Sequence, residues 1–280
     1  MEEGLYFADG QIRDEVYVWG SFLQSKMHSK GVTCSDCHDP HSMKLLVPGD
    51  GLCVRCHDPE HFASRAHHLH EPGAEGSACV DCHMPERSYM VVDPRRDHSM
   101  RVPRPDLTMT IGTPNACNGC HDDKDAAWAE DAFAAHFGDK RIHVKPHYGE
   151  VLAKAWENAP SQVDALLRLV RDKETALMVR ATALSLLGRT GSERVLSALR
   201  EALANGPPLL RYAALAALGD LSGRLRMVLA LPLLEDAVRG LRAEAARLLT
   251  AEARAIPGPY RQAYQKALAE YEAAQPESRD

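Results

Sequence analysis

The sequence predicts an all-α protein in two parts. Residues 1–148 form a domain with little regular structure, and residues 149–280 form a solenoid of stacked helix pairs. Three observations predict this. The pattern C-x-x-C-H occurs four times and uses all eight cysteines. All 14 histidines lie at or before His147. Beyond that point a helix-like segment recurs every 31 residues.

Length and composition set the frame. A chain of 280 residues suggests two domains, and its composition is ordinary for a globular protein. The net charge of −6 implies no nucleic-acid or membrane surface. No apolar run is long enough to span a bilayer. Met1-Glu2-Glu3-Gly4-Leu5 lacks the basic-then-apolar pattern of a secretory leader, so the chain is expected to be a fragment of a longer gene product or to have a misassigned start.

The motifs are Cys34-Ser35-Asp36-Cys37-His38, Cys53-Val54-Arg55-Cys56-His57, Cys79-Val80-Asp81-Cys82-His83 and Cys117-Asn118-Gly119-Cys120-His121. C-x-x-C-H is the pattern of c-type haem attachment. Each thiol can add to a vinyl group, and His38, His57, His83 or His121 can take one axial position on the iron. The two Cys sit one helical turn apart and so reach one edge of a macrocycle. The expectation is four covalent haem c groups. Zinc is the main rival. Cys34, Cys37, Cys53 and Cys56 fit C-x2-C-x15-C-x2-C, within the zinc-ribbon template. The other two motifs are spaced too widely for it, and a four-cysteine site has no use for a His after each second Cys. Disulfides explain that His no better.

Along the first half, Asp9-Gly10 signals a turn. Asp14 to His28 reads as a helix with Val16, Leu23 and Met27 on its apolar side. The frame H…G-x-x-C-x-D-C-H-x-P occurs at His28–Pro40 and again at His70–Pro85, which makes His28 and His70 equivalent by position and candidate second axial ligands. His41, His61 and His98 are weighed for the same role, with His41 and His98 preferred. Asp97 could orient a neighbouring ring. His67 and His68 read as spacers or alternatives to His70. His136, His143 and His147 are surplus: surface residues, ligands to these haems, or ligands to haems elsewhere. Repeated Pro from Val91 to Pro105 argues for an extended loop. Its Arg95, Arg96, Arg101 and Arg104 suit either haem propionates or solvent. Asp122 or Asp125 can cap a helix through Trp128 and Phe133 that ends near Gly138. Four macrocycles in a domain with a radius of gyration of about 15 Å lie close together and replace much of the apolar core.

In the second half, Val179–Gly188, Leu210–Gly219 and Leu241–Thr250 align, with Arg180, Arg211 and Arg242 second in each copy. Val163–Val170, Val195–Leu203 and Leu225–Ala237 read as the partner helices. Ser161 and Ser192 are candidate N-caps. Each Arg is read as bonding a neighbouring repeat. A last helix, Tyr260 to Ala274, carries Tyr264, Leu268 and Tyr271 on one face and stops at Gln275-Pro276. The Leu/Val-Arg-x-x-Ala-x-x-x-Leu-Gly frame resembles the short bacterial HEAT repeat over roughly residues 160–250. That family supplies scaffolds and partner-binding surfaces.

Residues 14–136 resemble multihaem cytochrome c families with doubled C-x-x-C-H motifs, relatives of the ammonia-forming nitrite reductases. The resemblance rests on H-x5-C-x-x-C-H at His28–His38, and on Cys82-His83-Met84-Pro85 followed by Asp97-His98. It implies a periplasmic or extracellular redox function and supports His28 and His98 as axial ligands. The C-x-x-C-K motif of those reductases is absent from the sequence, so their activity is not carried over. The expected function is electron transfer between low-spin bis-His haems, with the solenoid docking a redox partner protein or further haem or repeat domains of the same gene product. The alternative is a reductase of a small nitrogen or sulfur compound with one open haem.

Overall fold

The computed structural model describes residues 1–138 and 146–275. It divides into two compact units, Met1–Ala153 and Lys154–Asp280, with the division inside a helix.

The first unit is made of short pieces. The Asp9-Gly10 turn forms, with Gly10 at φ 91° and its N–H donating to the Phe7 carbonyl. The single helix expected from Asp14 to His28 is instead two, α1 (Trp19–Phe22) and α2 (Lys26–Ser29). The Ser25 hydroxyl accepts from the His28 N–H and starts α2 afresh, and β-branched Val16 and Val18 lie outside either helix. Then come α3 (Pro59–Phe62), α4 (Arg65–His68) and α5 (Cys79–His83). The all-α expectation fails at one point: β1 (Glu86–Tyr89) and β2 (Asp93–Arg96) pair antiparallel, Glu86 opposite Arg96. The three-residue turn between them holds Met90 and Val91 at φ 48° and 71°, a conformation that carries no sequence signal when Asn and Gly are missing. The extended loop is present beyond β2 and ends where Pro105 opens α6 (Pro105–Ile111). Next are α7 (Cys117–Cys120) and α8 (Ala126–Phe137). Asp125 caps α8, accepting from the Trp128 N–H, and Gly138 follows its end. The helix α9 (Tyr148–Asn158) contains the division between units.

This unit has little apolar core of its own. Tyr6, Ile12 and Tyr89 form one small cluster, with Met1, Leu5 and Val16 packed on it. Meanwhile Met43, Leu45, Leu46, Phe62, Leu69 and Trp128, all near the motifs, are exposed.

The second unit has an ordinary helical core. Its helices are α10 (Val163–Arg171), α11 (Leu177–Leu187), α12 (Glu193–Asn205), α13 (Pro208–Ala217), α14 (Gly223–Ala230), α15 (Arg239–Leu248) and α16 (Arg261–Glu272). The three aligned segments are α11, α13 and α15, which pack in succession, with α10 on α11, α12 on α13 and α16 on α15. Leu166, Leu184, Leu187, Leu199, Leu215, Leu234, Leu241 and Leu249 are fully buried between them. The partner helix expected over Leu225–Ala237 stops at Ala230; Pro232 lacks an N–H, and Leu231–Glu235 continues as a 3-10 turn. Ser192 caps α12, but Ser161 does not cap α10; its hydroxyl donates to the Asn158 carbonyl instead. The repeated arginines are structural. Arg180 donates to the Val170 carbonyl, Arg211 to the Gly206 carbonyl and Asp236, and Arg242 to the Asp236 and Ala237 carbonyls and Glu270. The Arg242 hydrogen bond holds the Glu270 carboxyl below its usual range. Tyr264 is buried on α16, and Pro276 lies outside the described residues.

Candidate functional site

Each C-x-x-C-H motif forms one helical turn. The His38, His57 and His121 N–H groups donate to the carbonyls of Cys34, Cys53 and Cys117 at 2.8, 3.0 and 2.9 Å, and the third motif is α5 itself. Two thiols and an imidazole at i, i+3 and i+4 therefore share one face at every motif. All eight cysteines are free thiols. Burial, followed by Cys53 and Asp50, pushes Cys79 up to about 12. Burial likewise pushes Cys82 up to about 11, with Cys117, Asp81 and Cys120 adding to it. Both shifts favour the protonated thiol.

Three motif histidines face a second imidazole. His38 lies opposite His98 with ring centres 6.3 Å apart and planes 26° apart. His83 lies opposite His67 at 6.0 Å and 15°. His121 lies opposite His70 at 6.2 Å and 26°. Two imidazoles on opposite sides of one iron would sit about 6 Å apart, since each metal–nitrogen bond is about 2 Å and each ring centre lies about 1 Å behind its nitrogen.

Hydrogen bonds fix the tautomers. The Nδ1–H groups of His38, His83, His98 and His70 donate to the carbonyls of Met43, Arg101, Arg96 and His68, at 2.9, 2.8, 2.9 and 2.6 Å. A carbonyl only accepts, so each Nδ1 carries the proton and each Nε2 keeps its lone pair. That is the arrangement that supports a metal-ligating His. Burial, followed by His83 and other histidines, holds His67 below its usual pKa, which favours its neutral, ligating form. Backbone strain gathers at the same places. Met43, Leu69 and Met100 adopt positive φ of 58°, 68° and 44°, each costing about 1–2 kcal/mol. Met43 carries the carbonyl that holds His38, Leu69 separates His67 from His70, and Met100 precedes Arg101.

The other candidates fall elsewhere. His28 packs against Trp19 and Phe22, at 6.0 and 5.4 Å between ring centres. His41 is exposed, its backbone N–H on Asp39. Among the described residues neither lies opposite a motif histidine. His57 meets the edge of Phe62 at 5.6 Å. His61 lies against Phe62 and His67. His68 accepts the His70 N–H at its Nδ1, and His136 uses Nε2 to reach the Ala66 carbonyl. His147 accepts from the Gly149 N–H. His143 lies outside the described residues. By sequence His67 reads only as a spacer or an alternative to His70, and the structure sets its ring opposite His83 instead. Asp97 bonds no imidazole directly among the described residues: it accepts from the Ser99 N–H and from Arg101, and the ring hydrogen bonds of His83 and His98 go to backbone carbonyls.

The arginines of the loop are paired within the chain. Arg95 bonds Asp93 and Glu15, Arg96 the Val80 and Met84 carbonyls, Arg101 Asp97 and Asp9, and Arg104 Asp106. Trp128 packs on His121 at 4.8 Å. The zinc-ribbon set does not converge. Among the described residues the group of close ligand atoms is Asp50, Cys53 and Cys79, within 4.8 Å of one another and drawn from two motifs. A closed structural zinc site needs four ligands. No helix among the described residues is long and apolar enough to cross a membrane.

The family model for HEAT repeats matches residues 131–219. No curated protein and no solved structure matches the chain. Three aligned helices stack in succession, as in an α-solenoid, and the chain is similar to HEAT repeats over the stretch that holds the first two of them.

Proposed function

We propose that the first unit carries four covalent haems and conducts electrons among them, while the solenoid docks a redox partner protein or holds an assembly together. The observation that carries the reading is the set of three imidazole pairs at 6.0 to 6.3 Å, each built on a motif histidine. The free thiols and the exposed apolar side chains around the motifs fit the same group.

Cys34 with Cys37, Cys53 with Cys56, Cys79 with Cys82, and Cys117 with Cys120 would hold the four groups as thioethers. His38, His57, His83 and His121 would each bind an iron, opposed by His98 at the first, His67 at the third and His70 at the fourth. Bound haem supplies reversible one-electron chemistry at its iron. Two imidazoles held for each of three irons would leave no place there for a substrate, which suits electron transfer. They also keep the sites close. Arg55 donates to the Asp36 carbonyl across the first two motifs, and Cys53 meets Cys79 across the second and third. A periplasmic or extracellular location goes with covalent haem attachment and belongs to the same proposal.

Intact-mass and pyridine-haemochrome measurements test this on protein made with a c-type maturation system. Four haems per chain are expected. A haem-free, colourless chain that binds zinc would refute the reading.

A further inference from the structure

One buried cluster ties down the segment that serves two of the imidazole pairs. Arg101 lies in the loop after β2. Its Nε donates to Asp97 at 3.2 Å and to the Ser99 hydroxyl at 2.9 Å, and its Nη1 donates to the Asp9 carbonyl at 3.2 Å and approaches the Asp9 carboxylate at 3.4 Å. Asp9, Asp97 and Ser99 are buried. Asp9 is itself fixed by Gln11 and by the Tyr148 hydroxyl, which donates to its carbonyl at 2.6 Å. Burial opposes the charge on Arg101, but Asp97 and Asp9 outweigh it and raise its pKa.

The backbone tied down by this cluster does three things within six residues. The Arg96 carbonyl holds the His98 Nδ1, His98 presents its ring to His38, and the Arg101 carbonyl holds the His83 Nδ1. The His98 N–H is further anchored on the Ser21 hydroxyl of α1 at 3.2 Å. Among the described residues the His70–His121 pair takes no hydrogen bond from this segment; the His70 Nδ1 bond goes to the His68 carbonyl.

We propose that Asp9, Asp97 and Arg101 form a shared clamp that positions the axial imidazoles of two irons, those of His38–His98 and His67–His83, so that the two sites respond together. This rests on the haem reading of the motifs. Asp9, Asp97 and Arg101 are positioning residues: they act through the backbone that orients His83 and His98. Asp9 is far from both histidines in the chain, so changing it alters the clamp without altering a ligand.

The test is Asp9→Asn in the full, haem-loaded chain, read by EPR g-values and by the midpoint potentials of the individual haems. Signals are assigned with His98→Met and His67→Met. The two clamped irons are expected to shift together while the His70–His121 iron stays unchanged. Ser21→Ala, which touches only the His98 end, is expected to shift one iron alone. If Asp9→Asn does not accumulate, Asp9→Glu is read against the same pair of signals. Four haems with no signal moved, one moved alone by Asp9→Asn, or all moved equally would overturn the clamp. A chain without haem would instead overturn the reading beneath it.

Discussion

His67 and His68 are sequence neighbours with opposite commitments. His68 has its Nδ1 on the His70 N–H, so its proton sits on Nε2. His67 has its ring opposite His83. In the haem-loaded chain proposed above, replacing His67 by Ala should therefore convert one iron from low-spin to high-spin, and His68→Ala should convert none; EPR of the two variants checks this. Conversion by His68→Ala instead would reassign the pair. The sequence already pointed to the motif residues, because C-x-x-C-H is a local pattern whose three side chains must share a face. His98 and His70 were singled out by position, and the structure sets their rings opposite His38 and His121. The placement of His67 opposite His83 was not readable, because it depends on the turn at Leu69. The left-handed turn there sends His67 and His70 to two different motif histidines, and a Leu gives no signal for φ 68°. The loop arginines were legible only as two alternatives, and the structure adds a third outcome in which Asp9, Asp93, Asp97 and Asp106 hold them.

Among the elements, the solenoid helices were readable and the small pieces of the first unit were not. Helices α11, α13 and α15 repeat the same small and large apolar residues because each must fit the same groove beside its neighbour. Gly188 shows how tight that fit is. A Cβ there would lie 2.6 Å from the Ala217 carbonyl oxygen and 2.8 Å from the Ala217 Cα, at the junction of α11 and α13. Backbone cannot yield as a long side chain does, so Gly188→Ala should destabilise the fold by about 1–3 kcal/mol, measured by denaturant unfolding. Gly219, the matching residue of the next copy, has nothing within 4 Å, and Gly219→Ala should leave stability nearly unchanged. Equal losses at both would contradict this account of the repeat. The first unit resisted the same reasoning because its elements are only a few residues long. Periodicity over Asp14–His28 suggested one helix, yet the Ser25 cap starts a new one after a single turn. The β1–β2 hairpin escaped notice because Met90 and Val91 are poor turn residues.

At the scale of the molecule, the two units solve the burial problem in different ways. The solenoid closes its core with leucines from successive helices. The first unit leaves apolar side chains exposed around four motifs and gathers imidazoles in pairs, an arrangement that large apolar macrocycles would complete. The measurement that tests this most directly is the EPR spectrum of the oxidised, fully matured chain. The account predicts low-spin bis-imidazole signals from at least three of the four irons, those of His38–His98, His67–His83 and His70–His121, unchanged by nitrite, hydroxylamine or cyanide. High-spin signals from these irons that move when such ligands are added would contradict the electron-carrier reading and point to a reductase. The absence of any haem signal would contradict the haem assignment itself.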